Sequence, residues 1–246
     1  MEEKVAVKKN TLTLLDKQLA VRVKKNQFGI IALASAVDPY MHIDTTEQLT
    51  RECLKLILKH QFPVLIITKS TGVIRDLDIL AAIDKNAILP QDLSTILARG
   101  VILSFSFSTL DENLAKLLEP GAPSPKARLE TMRYCKDKGF LVGVNCIPTL
   151  PYLSDSEDKL EGMIATAKEY GADYILIGGL MLFGSGQADS KTLYYNFLER
   201  HNRTLIEDYR KLYQGFAYPS QVYIEKLNEK ATRLCAKHHI RNRILN

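Results

Sequence analysis

Five apolar runs of strand length recur along the chain, and their spacing constrains the fold more than any other feature. They are residues 29–37 (GIIALASAV), 63–68 (PVLIIT), 101–107 (VILSFSF), 140–147 (FLVGVNCI) and 174–182 (YILIGGLML), with starts 34, 38, 39 and 34 residues apart. A run that is apolar at nearly every position marks a strand covered on both faces, the condition of a parallel sheet. A repeat of about 30 to 40 residues is the size of a strand with its crossover helix.

The segments between the runs read as helices. Residues 46–60 (TEQLTRECLKLILKH) place Leu49, Cys53, Leu56 and Ile57 on one face, at the i, i+4, i+7, i+8 spacing of an amphipathic helix. Residues 76–85 continue the pattern. Residues 124–138 open with Ser124 as cap and Pro125 in the first helical position, and Gly139 closes them. Residues 156–170 repeat this grammar with Ser156, an acidic first turn and Gly171. Residues 11–23 read as a further helix, preceded by a short strand at 4–7. After the loop at 184–190, residues 191–201, 205–213 and 221–239 are helical in pattern and rich in Tyr, Lys and Arg.

Five strand–helix units suit either a (β/α) barrel, whole or partial, or an open doubly wound sheet. No GxGxxG follows any strand and no P-loop is present, so the nucleotide-binding doubly wound reading loses its main support. The expectation is an α/β fold, a partial (β/α) TIM-type barrel with parallel strands at residues 1–184, followed by a C-terminal helical extension at 185–246.

Composition closes off other classes. Of 246 residues 46% are hydrophobic and 25% charged, an ordinary globular balance that excludes disordered and fibrous chains. Lys and Arg number 33 against 28 Asp and Glu, a net charge of +5, which permits a polyanionic partner without demanding one. No apolar stretch reaches the roughly 20 residues of a membrane span, and MEEKVAVKKN lacks the apolar segment of a signal peptide. Cys53, Cys135, Cys146 and Cys235 form no CxxC-type pair, so no local metal motif exists; four scattered cysteines without a signal peptide fit the cytoplasm.

In parallel α/β folds ligands bind at the C-terminal ends of strands. The first run ends in Ser35, Asp38, Pro39 and Tyr40, and the second in Thr68, Lys69 and Ser70, with Arg75 and Asp76 beyond. The third carries Ser104, Ser106 and Ser108 on one face, opposite Leu103, Phe105 and Phe107. The fourth holds Asn145, then Pro148, and the fifth Gly178, Gly179 and Met181. Lys69 stands out, because a lysine at the end of an inner strand is costly to bury unless it is paired or faces a ligand. An anion is the ligand it suits. The serine stripe has a plainer reading as small-residue packing, and Asp38 one as a turn residue before proline. Cys146 beside Asn145 has no neighbour in sequence that marks it as activated.

The stretch from Val37 to Leu80 resembles the radical S-adenosylmethionine (SAM) proteins of the spore-photoproduct-lyase-like group, often labelled DNA repair photolyase. The group's DPY…LTR and TKS…RD segments correspond to Asp38, Pro39 and Tyr40; Leu49, Thr50 and Arg51; Thr68, Lys69 and Ser70; and Arg75 with Asp76. Glu119–Pro120, Arg128–Leu129 and the IPTLPYLSD segment at 147–155 extend the likeness, which runs from about residue 28 to about 215. The resemblance implies a SAM cofactor and a four-iron–four-sulfur cluster whose reductive cleavage of SAM yields a 5′-deoxyadenosyl radical. It places Lys69 toward the SAM carboxylate, Ser35 and Asp38 toward its amino group, and Ser106 and Asn145 toward the ribose or methionyl part, with Tyr40 and Ser70 in the same motifs.

Two departures stand beside this likeness. The group's CxxxCxxC cluster loop is absent, so the chain would hold strands two to six of a six-stranded partial barrel, without metal ligands of its own. The Gln and Glu that follow DPY in the group are replaced, and Asp44 is the candidate stand-in for the glutamate. Three functions compete: the SAM-binding core of a radical enzyme acting on an unknown, possibly nucleic-acid, substrate; a cluster-less barrel that binds a ligand or partner; and nucleic-acid recognition by Lys226, Lys230, Arg233, Lys237, Arg241 and Arg243 in the last helices. The plain alternative to the last is a solvated helix face.

Overall fold

The structure, a computed structural model, describes residues 7–33 and 37–245. Ser35 and residues 4–6 of the expected first strand lie outside them. The chain runs α1 (Thr11–Lys24), β1 (Ile31–Leu33), α2 (Asp44–Glu47), α3 (Leu49–Lys59), β2 (Val64–Thr68), a 3-10 turn (Thr71–Asp76), α4 (Leu77–Asn86) and β3 (Val101–Ser106). It continues with α5 (Glu112–Leu118), α6 (Pro125–Asp137), β4 (Leu141–Thr149), α7 (Glu157–Glu169) and β5 (Tyr174–Gly179). Then follow α8 (Ser190–His201), a 3-10 turn (Arg203–Leu205), α9 (Ile206–Tyr213) and α10 (Gln221–Lys237).

The five strands form one sheet in chain order, β1-β2-β3-β4-β5. β1 pairs parallel with β2, and β2 parallel with β3. A doubly wound sheet reverses its strand order at a switch point; this order never reverses. The parallel α/β arrangement is therefore wound in the barrel sense, as the missing phosphate fingerprints imply.

The strands differ in how far both faces are covered: no residue of β1 is buried and β5 is mostly partly covered. All six residues of β3 are buried, serines included. β2 alternates instead: Val64, Ile66 and Thr68 are fully covered, while Leu65 and Ile67 are only partly so. The helix signals at 124–138 and 156–170 form as read. Pro125 is the first residue of α6, and Ser156 Oγ accepts from the Lys159 N–H ahead of α7. Gly139 and Gly171 end the two helices at φ of +87° and +84°, a backbone region that is strained for other residues.

The helix expected at 46–60 is two helices. Gln48, at φ +49°, ends α2 and begins α3. The buried face of α3 is Thr50, Cys53, Leu54 and Ile57, with Leu49 and Leu56 only partly covered. The face turns because Thr50 is pulled inward by two polar anchors: its N–H donates to Asp44 Oδ1 at 2.9 Å and its hydroxyl to the Pro39 carbonyl. The helix expected from residue 76 starts at Leu77, because 71–76 wind as a 3-10 turn whose Gly72 N–H is held by Ser70 Oγ at 3.0 Å. α5 was not anticipated, although its signal is in the sequence: Asp111 caps it through the N–H groups of Asn113 and Leu114.

The chain divides into two compact units, one of residues 1–105, 127–143 and 245–246, the other of 106–126 and 144–244. In the first, α3 packs on α1 and α4, and Leu54, Ile57, Ile66, Leu80 and Ile83 are each 0 or 1% exposed. In the second, α7 and α10 pack with β5, and a separate cluster gathers Leu150, Leu180, Leu182, Tyr194, Leu198, Tyr209 and Tyr213. Among the described residues no helix is long and apolar enough to cross a membrane.

Candidate cofactor-binding site

In the first unit the four motif segments are tied to one another. Asp38 receives the Tyr40 N–H and the Thr68 hydroxyl on Oδ1, at 2.9 and 2.8 Å, and the Lys69 N–H on Oδ2 at 2.6 Å. One carboxylate thus joins the segment after β1 to the end of β2. Thr68 Oγ1 in turn accepts the Ser70 N–H. Asp76, fully buried, receives Arg51 Nη1 at 2.8 Å and two nitrogens of Arg75. Arg75 also reaches Asp44 Oδ2 at 2.7 Å and lies over the Tyr40 ring, 5.5 Å from its centroid. Arg51 forks onto Asp78 through both terminal nitrogens, the bidentate geometry that favours arginine over lysine.

A buried carboxylate needs such partners, since an uncompensated charge in the interior costs several kcal/mol. The pairing holds the Asp78 carboxyl down at about 2, chiefly through its hydrogen bonds to Arg51. It lifts both guanidiniums further above their ordinary range. Burial, together with the Asp76 charge, pushes the Tyr40 phenol well above 10, and its hydroxyl has no hydrogen-bond partner. Gly72 completes the lattice. A Cβ there would meet Ser70 Oγ at 3.1 Å and Tyr40 Cβ at 3.2 Å. Asp38, Tyr40, Asp44 and Ser70 are therefore brought together as parts of one scaffold that shapes the loops after β1 and β2. Arg128, from another matching segment, is 1% exposed and partnered.

Lys69 joins the scaffold through its backbone N–H, while its side chain is partly buried. The register pairs Ile67 with Ser104, so these two side chains share a face of the sheet, and alternation puts Lys69 on the same face. This is the partly covered face of β2. Ser104 Oγ is buried there with no hydrogen-bond partner, a state that costs about 1–3 kcal/mol unless water or a ligand meets it. The unsatisfied hydroxyl on this face suits a polar ligand.

In the second unit Ser106 and Ser108 are buried. Asn145 Nδ2 reaches Ser106 Oγ at 3.5 Å, and Ser108 donates to Glu119 at 2.9 Å. Cys146 lies against Thr149, and burial pushes its thiol up to about 11. The basic side chains of the C-terminal helices are mostly engaged. Lys230 donates to the Asp155 carbonyl, Arg233 and Lys237 pair with Glu157 and Glu161 of α7, and Arg241 donates to the Asp173 carbonyl. Lys226 and Arg243 are exposed.

An iron–sulfur cluster does not fit the described residues. All four thiols are buried and unpaired, burial raises them to between about 11 and 12, and no three His, Cys, Asp or Glu side chains gather where they could hold a metal. Thiolate is the form that binds metal, and burial of this kind suppresses it.

No protein-family profile matches the chain. An uncharacterized protein of Mycobacterium tuberculosis is 28% identical over 239 residues, which is 97% of this chain and 65% of that protein. An uncharacterized protein of Acidianus two-tailed virus is 32% identical over 160 residues, 64% of this chain and 47% of its own length. Among solved structures, spore photoproduct lyase with bound SAM and dinucleoside spore photoproduct superposes with a TM-score of 0.64 at 14% identity, over 93% of this chain and 64% of the enzyme. Streptococcus suis SuiB bound to its precursor peptide SuiA aligns over all of this chain and 42% of SuiB, with a TM-score of 0.52 at 12% identity.

These likenesses show the fold, an α/β barrel of the kind found in spore photoproduct lyase and SuiB. Within it, the chain has the spore-photoproduct-lyase-like fold. It spans 65% of the length of its mycobacterial relatives.

Proposed function

We propose that this chain is a SAM-binding radical-SAM-type core in which Lys69 receives the SAM carboxylate and Ser104 offers a hydroxyl on the same face. The carrying observation is the pairing of Ile67 with Ser104, which sets the unpartnered hydroxyl and the lysine on the partly covered side of β2. The Asp38 carboxylate positions the Lys69 backbone, and Ser70 and Tyr40 shape the loop beside it. Ser106 and Asn145 are proposed, from the motif likeness, as contacts to the ribose or methionyl part. What these residues would do is bind and orient SAM.

A second reading is a barrel that binds its ligand without radical chemistry, on a substrate class still to be found. It is favoured by the four buried thiols and the lack of a metal-holding group among the described residues. Both readings require the ligand site, so SAM binding is the first test. Isothermal titration should show SAM binding to the wild-type chain, with affinity about tenfold lower in Lys69→Ala, the scale of a lost charge-assisted hydrogen bond. Undiminished affinity in Lys69→Ala would remove the carboxylate assignment. No binding by the wild-type chain would remove the SAM reading altogether.

A further inference from the structure

The second unit contains a groove of about 410 Å³ lined by Leu182, Lys191, Tyr195, Arg210, Tyr213 and Phe216, within the size range of small-molecule sites. Three elements build it: the segment after β5, the first two turns of α8, and the end of α9 with the turn that follows. That turn reverses through Gln214 and Gly215, at φ of +48° and +84°, and so carries Phe216 to the rim, where the ring is 71% exposed. A phenylalanine held this far into water is an available stacking surface rather than core.

The polar part of the lining is cationic. Lys191 is partly buried, and among the described residues its ammonium has no ion-pair or hydrogen-bond partner, its backbone N–H alone being engaged, by the Phe183 carbonyl. Arg210 is paired with Glu207, and Tyr195 lines the same groove. The Tyr213 hydroxyl is turned away, donating to the Leu180 carbonyl at 2.7 Å, and its ring is buried in the wall, stacked on Tyr209. The groove therefore combines an exposed ring, an uncompensated lysine and a neutralised arginine. Rings recognise a planar ring, and the unpaired cation recognises an anion tethered to it.

We infer that this groove binds a nucleoside phosphate, with the base against Phe216 and the phosphate on Lys191 and Arg210. The site is separate from Lys69 and Ser104 and does not depend on the SAM proposal. Its residues are none of the motif residues named between 38 and 155, and they stand at i, i+4 (Lys191, Tyr195) and i, i+3 (Arg210, Tyr213) spacings on their helices.

The test is equilibrium binding of AMP, adenosine, inorganic phosphate and a four-nucleotide thymidine strand to the full chain, with and without saturating SAM. AMP should bind at least about tenfold more tightly than adenosine or phosphate, since stacking and a charge-assisted hydrogen bond each contribute about a factor of ten. Lys191→Ala should bring AMP down to the affinity of adenosine. Phe216→Ser should weaken AMP by about tenfold. Glu207→Gln, which frees Arg210, should tighten it. Both Lys191 and Phe216 lie at the surface of the groove, and circular dichroism of the variants checks their folding. Strand binding that exceeds AMP binding and shows the same variant pattern would place the nucleoside phosphate within a nucleic acid. AMP affinity equal to that of adenosine, insensitivity to both variants, or displacement of AMP by SAM would overturn the inference. Displacement by SAM would also locate AMP at the SAM site, so the two proposals fail separately.

Discussion

The scaffold of the first unit and the tyrosine cluster of the second solve the same problem with opposite chemistry. Each must hold loops in place after strands. The scaffold does so with charge: Asp44, Asp76 and Asp78 set against Arg51 and Arg75, at distances of 2.6 to 3.2 Å, with Asp38 accepting two backbone N–H groups and the Thr68 hydroxyl. The cluster does so with rings and neutral hydroxyls. Tyr194 and Tyr209 share a 2.8 Å hydrogen bond, Tyr209 donates to the Pro151 carbonyl, and Tyr209 stacks on Tyr213 at 5.9 Å. Charge gives strong, geometrically specific ties that fail when one partner goes. Aromatic packing spreads the interaction over area, so losing one hydroxyl leaves most of it intact.

The largest expected effect tests the charge side. Asp76→Ala removes the acceptor shared by Arg51 and Arg75 and should cost about 3–5 kcal/mol, the scale for breaking a buried ion pair. Urea unfolding followed by circular dichroism measures it, and a loss under about 1 kcal/mol would show that Asp44 and Asp78 carry the network without Asp76. The next effect tests the aromatic side. Tyr209→Phe keeps the ring but leaves the Tyr194 hydroxyl and the Pro151 carbonyl short of a partner, which should cost about 1–3 kcal/mol. A cost equal to that of Asp76→Ala would erase the distinction.

The subtlest test is pH. The folded Asp78 carboxyl sits at about 2, below the unfolded value of about 3.9. Its contribution is complete above that unfolded value and disappears as the pH falls toward about 2. Burial raises the phenols of Tyr194, Tyr209 and Tyr213 above their ordinary 10. Their protonated form is the one the fold holds, so their contribution is complete below about pH 10 and fades as the pH rises beyond it. In unfolding midpoints measured across pH, Asp78→Asn should flatten the acid limb and Tyr209→Phe the alkaline limb. Each variant acting on the other limb would contradict the division.

The serine cap at Ser156, the first-turn Pro125, the glycine stops at Gly139 and Gly171, and the five apolar runs were legible because each is a local signal, readable within a few residues. The motif segments were legible as a likeness, but their mutual hydrogen bonds were not, because Arg51, Asp76 and Asp44 lie 25 and 32 residues apart along the chain. The split at Gln48 was missed because nothing in TEQLTREC forbids a continuous helix; the Asp44 and Pro39 anchors on Thr50 impose the break from outside the segment. The groove around Lys191 and Phe216 was missed for a related reason. Two helices of ordinary amphipathic pattern give no sign that the turn between Tyr213 and Phe216 brings a ring to the rim.

By itself the sequence determined the kind of fold, since apolar runs at that spacing bury both faces only in a parallel sheet with crossover helices. It determined most helix ends as well, since caps act through the nearest backbone groups. The tertiary structure alone decided the strand order, the face of α3 that is buried and the charges that meet one another. Those choices depend on contacts between residues distant in sequence, where packing and charge pairing outweigh local preference.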